Sequence, residues 1–321
     1  MGDGPETVPN LHNLWRFSVY APYGAGFGAE LVITANKSIN INSNQTENMA
    51  MIQANRLKKV LDNGDKAWGI WQTIPGTNVS RALANSGVDW VLVDCEHGNI
   101  ADAAMHESVG AIAATGVSPI VRIPDNQGWL VKRALDCGAH GVLVPLLNTV
   151  EDAERLVQSA KFPPQGIRGF GSPFSQGAFS ASMTAGEYLV QANSSLLTIV
   201  QIETAEALKN VDGIAAVEGV DVLFVGPFDL GNALGHPITG PTMHPELEAA
   251  IAKVLAAAQK AGKKSGIYTP AGDQANKMAG LGFDMVNVTA DAIALAVFLG
   301  SEVAKAKGGQ STEKMTGPYG K

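Results

Sequence analysis

Cysteine is almost missing from this 321-residue sequence. Cys95 and Cys137 are the only two, both inside apolar runs, so neither a disulfide framework nor a thiolate metal cluster is expected, which fits a reducing compartment. Positive charge is also short: 23 Lys and Arg against 30 Asp and Glu leave a formal charge of −7, which argues against a nucleic-acid partner. No run has the length and apolarity of a membrane span. The nearest, residues 17–34, is broken by Pro22, Gly24, Gly26, Gly28 and Glu30. The chain opens MGDGPETVPN, with acids where a secretory leader carries bases, and Glu6 stands where a myristoylation signal needs Ser or Thr. A cytoplasmic protein is the expectation. The 36 glycines follow no period, which excludes a fibrous repeat.

What is present is ample apolar material, 45% of residues, arranged as alternating strands and helices. Residues 1–50 show little periodicity, and 36–48 are rich in Asn, Ser and Thr, so a poorly ordered extension is expected there, followed by a folded domain over 51–310 and a flexible tail over 311–321. An amphipathic helix is expected over 51–64. Strands are then expected at 66–73, 88–96, 118–123, 140–146, 196–203, 221–225, 264–268 and 283–288, with helices between them, such as 75–86, 101–114, 128–137 and 150–160. Eight βα units in roughly 240 residues match a TIM (β/α)8 barrel in size and count. A doubly wound sheet is the alternative, weakened because no G-x-G-x-x-G follows the first strand. Residues 162–195 are long for a connection and are expected to be a functional loop over the barrel mouth.

The chain's organising stretch is 88–99, VDWVLVDCEHGN. Its apolar half reads as a strand buried on both faces, and Asp94, Glu96 and His97 crowd its carboxyl end, where barrel enzymes keep their reacting groups. Arg122 ends the third strand, Gln201 and Glu203 the fifth, and Asp229 follows the sixth in GPFDL. Glu203 and Asp229 form a natural pair for Mg²⁺ or Mn²⁺, although Glu203 could instead cap the next helix and Asp229 could serve a helix dipole. The helix start at Pro227 offers the backbone N–H groups of Phe228 and Asp229 to a substrate carboxylate. Arg122, costly if buried unpaired, either faces a substrate anion or pairs with Asp94 or Glu96. His97, with Asp94 fixing its tautomer, can move a proton near neutral pH. His106, His140, His236 and His244 lack such companions and read as packing or surface residues.

Several stretches, VDWVLVDCEHGN, PIVRIP, GAHGVLVPLLNTVEDAERLV, FPPQGIRGFGS, VQIETAEALKNVDGIAAVEGVDVLFVGPFDLGNALG and GFDMVNVTADAIAL, resemble the HpcH/HpaI aldolases. These are metal-dependent class II pyruvate aldolases of the phosphoenolpyruvate/pyruvate barrel superfamily. The resemblance runs in order from about residue 66 to 305. It implies that Glu203 and Asp229 bind Mg²⁺ or Mn²⁺, that His97 and its partner Asp94 move protons, that Arg122 binds the enolate, that Gln201 belongs to the site and that Trp71 walls it. Core packing is the plain alternative for Trp71. Around GIRGFGSPFSQGAFS and GNALGHPITGPTMHP the chain departs from the bacterial pattern and resembles the fungal macrophomate synthase branch.

The function so implied is a carbon–carbon lyase forming and using a metal-bound pyruvate enolate, with a 2-oxo acid as one substrate and an aldehyde or other acceptor as its partner. An oxaloacetate decarboxylase, or a synthase taking its enolate from oxaloacetate, needs the same residues. A catalytically silent barrel serving as a binding protein is a third reading, disfavoured by the intact set of Asp94, His97, Arg122, Glu203 and Asp229. The resemblance also implies a homo-oligomer, a trimer or hexamer, built through the apolar terminal helix at 291–305.

Overall fold

The structure, a computed structural model, describes residues 49–309; the expected N-terminal extension, up to residue 48, and the tail at 311–321 lie outside the described residues. Eight strands, β1 (Ala67–Gln72), β2 (Trp90–Asp94), β3 (Ser118–Arg122), β4 (Gly141–Val144), β5 (Leu197–Ile202), β6 (Val222–Val225), β7 (Lys264–Ile267) and β8 (Met285–Ala290), pair in chain order. All pairs are parallel, and β1 closes on β8, so this is the TIM barrel that the alternation predicts.

The period of two sorts each strand. Val91, Val93, Val121, Val142, Val200, Leu223 and Val225 point outward into the core shared with the helices, while Trp90, Leu92, Ile120, Leu143, Ile199 and Phe224 fill the barrel. Two glycines make room for the largest of these. A Cβ at Gly69 would lie 2.1 Å from the Trp90 ring, and one at Gly266 would lie 2.4 Å from Phe224. The inward series runs Trp90, Leu92, Asp94 on β2 and Ser118, Ile120, Arg122 on β3. The last inward position at the carboxyl end is therefore polar on both strands, on a layer where the packed interior meets the mouth.

The helix expected over 51–64 is two, α1 (Ala50–Ala54) and α2 (Arg56–Asp62). Asn55 divides them because its side chain has other work: the amide donates to the carbonyls of His140 (3.0 Å) and Ser195 (2.8 Å), while Oδ1 accepts from Ser118 Oγ (2.9 Å) and caps α2 through Lys58 N–H. Leu57 and Leu61 of α2 are buried with the barrel interior, so this helix plugs the amino-terminal end, at roughly 1.5–3 kcal/mol of burial for each leucine.

The remaining helices are α3 (Thr77–Ala84), α4 (Asp102–Ala113), α5 (Gly128–Asp136), α6 (Val150–Ala160), α7 (Ala185–Ser195), α8 (Ala205–Ala216), α9 (Pro227–Ala233), α10 (Pro245–Lys260), α11 (Gly272–Leu281) and α12 (Asp291–Ala306). One expectation fails here. The long connection at 162–195 does not cover the mouth; it packs at the opposite end. Arg168 Nη2 donates to Asp136 (2.8 Å) and Tyr188 Oη (3.1 Å), Phe179 stacks on His140 with centroids 4.4 Å apart, and Gly138 lies against Ala178. Asp136, Gly138 and His140 all precede β4. The reason is topological: the segment leaves α6 and enters β5, and αβ connections lie at the amino-terminal face, whereas βα loops build the mouth. No helix among the described residues is long and apolar enough to cross a membrane.

Candidate active site

The carboxyl ends of the strands surround a cleft lined by Trp71, His97, Arg122, Gln201, Phe224, Tyr268 and the start of α9 from Gly226 to Asp229. Its floor is the polar end of the inward series. Asp94 is fully buried and accepts from Arg122 Nε at 2.9 Å, Arg122 Nη2 at 2.5 Å and Trp71 Nε1 at 3.0 Å. The backbone N–H groups of Glu96 (3.0 Å) and His97 (3.2 Å) donate to its Oδ1 as well. Burial alone would raise the Asp94 pKa, but the Arg122 guanidinium, helped by Trp71 and the His97 N–H, holds it below the usual carboxylate value.

This corrects one expectation. Asp94 does not orient the His97 imidazole. It meets His97 through the main chain, and its oxygens go to the Arg122 fork and to Trp71. The chain turns immediately after β2, which brings His97, outward by strict alternation, onto the cleft with its side chain about half exposed. The turn is tight enough that a Cβ at Gly98 would lie 2.3 Å from the Asp94 carbonyl oxygen. The carboxylate nearest His97 is Glu96, with Oε1 4.0 Å from Nε2.

Arg122 is held on three sides. Beyond the two bonds to Asp94, its Nη1 lies 2.9 Å from Glu96 Oε2 as an ion pair, and its guanidinium carbon stands 4.9 Å from the centre of the Trp71 ring. The pairing with Asp94 and Glu96 anticipated as one alternative is thus realised, while Arg122 still lines the cleft.

The opposite wall carries the second cluster. Glu203 follows β5 on its inward parity and is 3% exposed. It does not cap α8, whose N-cap is Thr204 bonded to Ala207 N–H. Glu203 Oε1 accepts from Leu146 N–H at 2.8 Å, and Oε2 accepts from the Gln201 amide. Burial pushes the Glu203 pKa up to about 7, against the two hydrogen bonds and with repulsion from Asp229 and Glu96. Burial likewise raises Glu96 to about 7, with Arg122 pulling it down and Asp94 and Asp229 pushing it up. Glu96, Glu203 and Asp229 therefore sit close enough to resist being ionised together.

That charge balance tests whether a metal suits the site. Three crowded carboxylates gain from a divalent cation, and the donors are all hard oxygens. The buried Gln201 Oε1 has no hydrogen-bond partner among the described residues. Space is kept open at Gly226, where a Cβ would lie 2.7 Å from Glu203 Oε2 and 2.9 Å from Gln201 Nε2. These residues fit Mg²⁺ or Mn²⁺.

All the site residues expected from the sequence thus gather at one mouth: Trp71, His97, Arg122, Gln201, Phe228 and Asp229 on the cleft, Asp94 beneath them and Glu203 beside them. Three residues there, Phe224, Tyr268 and Leu146, were not anticipated, and one role, that of Glu96, was incomplete. Phe224 and Tyr268 form an aromatic wall, with Tyr268 edge-on to Trp71 (5.3 Å) and against Phe228 (6.1 Å); inward parity near a strand's carboxyl end could have flagged both. Glu96 was expected at the strand end only as a partner for Arg122, not as a carboxylate facing Glu203 and Asp229. Leu146 has a left-handed backbone, φ 52°, and sequence carries no sign of a leucine in that conformation.

Comparison with known proteins points to one family. The family model described as HpcH/HpaI aldolase/citrate lyase matches residues 69–296. A hydroxypyruvate/pyruvate aldolase of Chromohalobacter salexigens is 38% identical over 238 residues, 74% of this chain and 91% of that protein. The crystal structure of an HpcH/HpaI aldolase/citrate lyase family protein from Burkholderia cenocepacia J2315 is 36% identical with a TM-score of 0.72, covering 79% of this chain and 99% of that one. Macrophomate synthase is similar at 27% identity and TM-score 0.72, covering 81% of this chain and 92% of the other.

Proposed function

Since the chain belongs to the HpcH/HpaI aldolase/citrate lyase family and is a carbon–carbon lyase, we propose that it cleaves and forms 4-hydroxy-2-oxo acids, with pyruvate or a close relative as the nucleophilic half. The observation that carries this reading is the convergence of Glu203, Asp229 and Glu96 with Arg122 and His97 at one barrel mouth. Glu203 and Asp229, with Gln201 beside them, hold the divalent ion. When bound, Mg²⁺ or Mn²⁺ supplies Lewis acidity toward the oxygens of the 2-oxo acid.

The protein's own groups do the rest. In cleavage a base takes the proton of the C4 hydroxyl, the C3–C4 bond breaks as that oxygen becomes the aldehyde carbonyl, and the electron pair passes into the pyruvate enolate. C3 then takes up a proton. His97 handles the hydroxyl proton, with Glu96 as second proton carrier 4.0 Å away. Arg122, locked by Asp94, stabilises the negative charge developing on the enolate oxygen, an effect worth about 3–4 kcal/mol where one such donor is removed elsewhere. Trp71 and Tyr268 exclude water from the face of the enolate, and the N–H groups at the start of α9 meet the substrate carboxylate.

Likeness to macrophomate synthase favours a second reading in which oxaloacetate loses CO₂ to give the same enolate. Chelator-treated protein should fail to release pyruvate from a 4-hydroxy-2-oxo acid and recover when Mg²⁺ or Mn²⁺ returns. Full activity after chelation and dialysis would sink the metal assignment, and oxaloacetate turnover without aldol cleavage would favour the second reading.

We also propose a homo-oligomer. On α12, Leu295, Phe298, Leu299 and Val303 are 50–64% exposed on one face, a pattern that asks for a partner. Phe298→Glu should lower the mass seen by light scattering; a monomeric wild type at micromolar concentration would count against it.

A further inference from the structure

We propose that His236, His244 and Glu246 form a second metal site, away from the oxygen donors of the cleft and suited to a borderline divalent ion of the Zn²⁺ class. The first histidine follows α9, and the other two residues open α10. Their donor atoms all lie within 4.8 Å of one another. His236 Nε2 is 2.9 Å from Glu246 Oε2, and the imidazole rings stack with centroids 3.7 Å apart and planes 7° from parallel. The sequence hides this grouping, because His236 meets His244 and Glu246 only where the chain folds back across the intervening loop.

The three groups are anchored from both sides. His236 N–H donates to Gly231 O at 2.8 Å, and a Cβ at Gly231 would lie 2.8 Å from the His236 carbonyl oxygen, so the backbone here is pressed onto α9. His244 is the N-cap of α10, followed by Pro245 at the first helical position. Pro237 and Pro241 stiffen the loop between. Two imidazole nitrogens and one carboxylate oxygen select Zn²⁺, Co²⁺ or Ni²⁺ over Mg²⁺, which prefers oxygen.

The ion would replace the proton shared by His236 and Glu246. Where it takes His244 Nδ1, it gives up only the 3.3 Å cap bond from Glu246 N–H. Coordination also requires the rings to swing out of their parallel stack until their lone pairs converge, a rotation that side chains at the surface make at small cost. A bound ion would tie the end of α9, whose first turn carries Asp229, to the start of α10.

The test uses chelator-treated full-length protein and the variant His236→Gln/His244→Asn, in which Asn keeps a side chain that caps α10. Zn²⁺ is titrated by calorimetry and Co²⁺ by its visible absorption. Wild type should bind Zn²⁺ at least about 100-fold more tightly than the variant, since loss of even an outer-shell partner costs 10–100-fold. It alone should show the intense bands of a nitrogen-ligated cobalt ion of low coordination number. Equal Zn²⁺ affinity in the two proteins, or cobalt bands in neither, overturns the proposal. Mg²⁺ binding read in the same proteins reports separately on the cleft: its absence from both would fail the Glu203 and Asp229 assignment and leave the zinc difference standing.

Discussion

The two ends of the barrel treat buried polar groups in opposite ways. At the amino-terminal end neutral groups bond one another and buried charges meet opposite ones: Asn55 bonds two carbonyls and a hydroxyl, His140 lies between Ser118 Oγ (3.1 Å) and the Ala178 carbonyl (3.3 Å), and Arg168 pairs with Asp136 (2.8 Å). Burial keeps that histidine uncharged by lowering its pKa to about 4. At the carboxyl end Glu96 and Glu203 are both pushed to about 7 and repel Asp229, and Gln201 Oε1 is left unpaired. The first arrangement secures the plug of the fold. The second costs stability in the protein alone and makes sense only if something else, a cation and a substrate, completes it.

The largest effects should come from breaking the carboxyl end chemically. His97→Ala should lower aldol cleavage by roughly 10² to 10⁴ while leaving oxaloacetate decarboxylation much less affected, because loss of CO₂ makes the enolate without a base. Arg122→Lys should lower both by on the order of 10², since an ammonium cannot keep the fork that meets Asp94 while facing the enolate. The two rates measured in parallel decide the division of labour. If His97→Ala lowers both equally with the metal still bound, His97 shapes the site rather than moving the proton.

The same residues show how much could be read in advance. The predicted strand ends were enough to place Asp94, Arg122, Gln201 and Glu203 at one mouth, and the family resemblance added Trp71, because in a parallel barrel strand direction leaves little else to decide. What alternation could not supply were relations across turns. The bend after Asp94 turns His97, which strict alternation would point outward, onto the cleft, and the expected tautomer-fixing contact with Asp94 proved to be a main-chain one. The loop at 162–195 was misplaced because its length, not the face to which its ends belong, was used to locate it. Glu246 was missed as the companion of His236 for a similar reason: the chain folds back between them.

A smaller effect comes from pH, and here the two ends oppose each other. The Glu203 pKa is raised in the folded state from its ordinary 4.5 to about 7, so the folded metal-free protein binds more protons than the unfolded chain in that window. Its contribution is present below about 4.5 and is lost as pH rises through about 7. The His140 pKa is lowered from 6.5 to about 4, so its contribution is present above about 6.5 and is lost as pH falls through about 4. Each shift corresponds to roughly 3 kcal/mol at most, and in wild type the slopes partly cancel. Glu203→Gln removes one of them. Glu96, also raised to about 7, adds a fall of the same sign in both proteins, so in chelator-treated protein the change in urea midpoint from about pH 5 to about pH 8 should be more positive in the variant than in wild type. The slope is the readout because Gln also places a second amide against Gln201, a pH-independent offset. An unchanged slope would show that Glu203 is not held near neutrality.

The smallest effect sharpens the comparison most, because it separates strain at the mouth from packing. Leu146 takes φ 52° while its N–H donates to Glu203 Oε1, and a left-handed L-residue costs roughly 1–2 kcal/mol. Glycine removes that strain but loses about 0.5–1 kcal/mol more chain entropy on folding. Leu146→Gly keeps the N–H, so metal affinity should hold and net stability should change by less than about 1 kcal/mol, toward greater stability. Denaturant midpoints with and without Mg²⁺ measure both quantities. Because the Leu146 side chain is 55% exposed, a loss above about 2 kcal/mol could not come from packing within one chain of the described residues. Such a loss, if it also grows with protein concentration, would mean that this leucine is buried against a second copy, and that the barrel mouth, unlike the plugged end, is completed by assembly as well as by ligand.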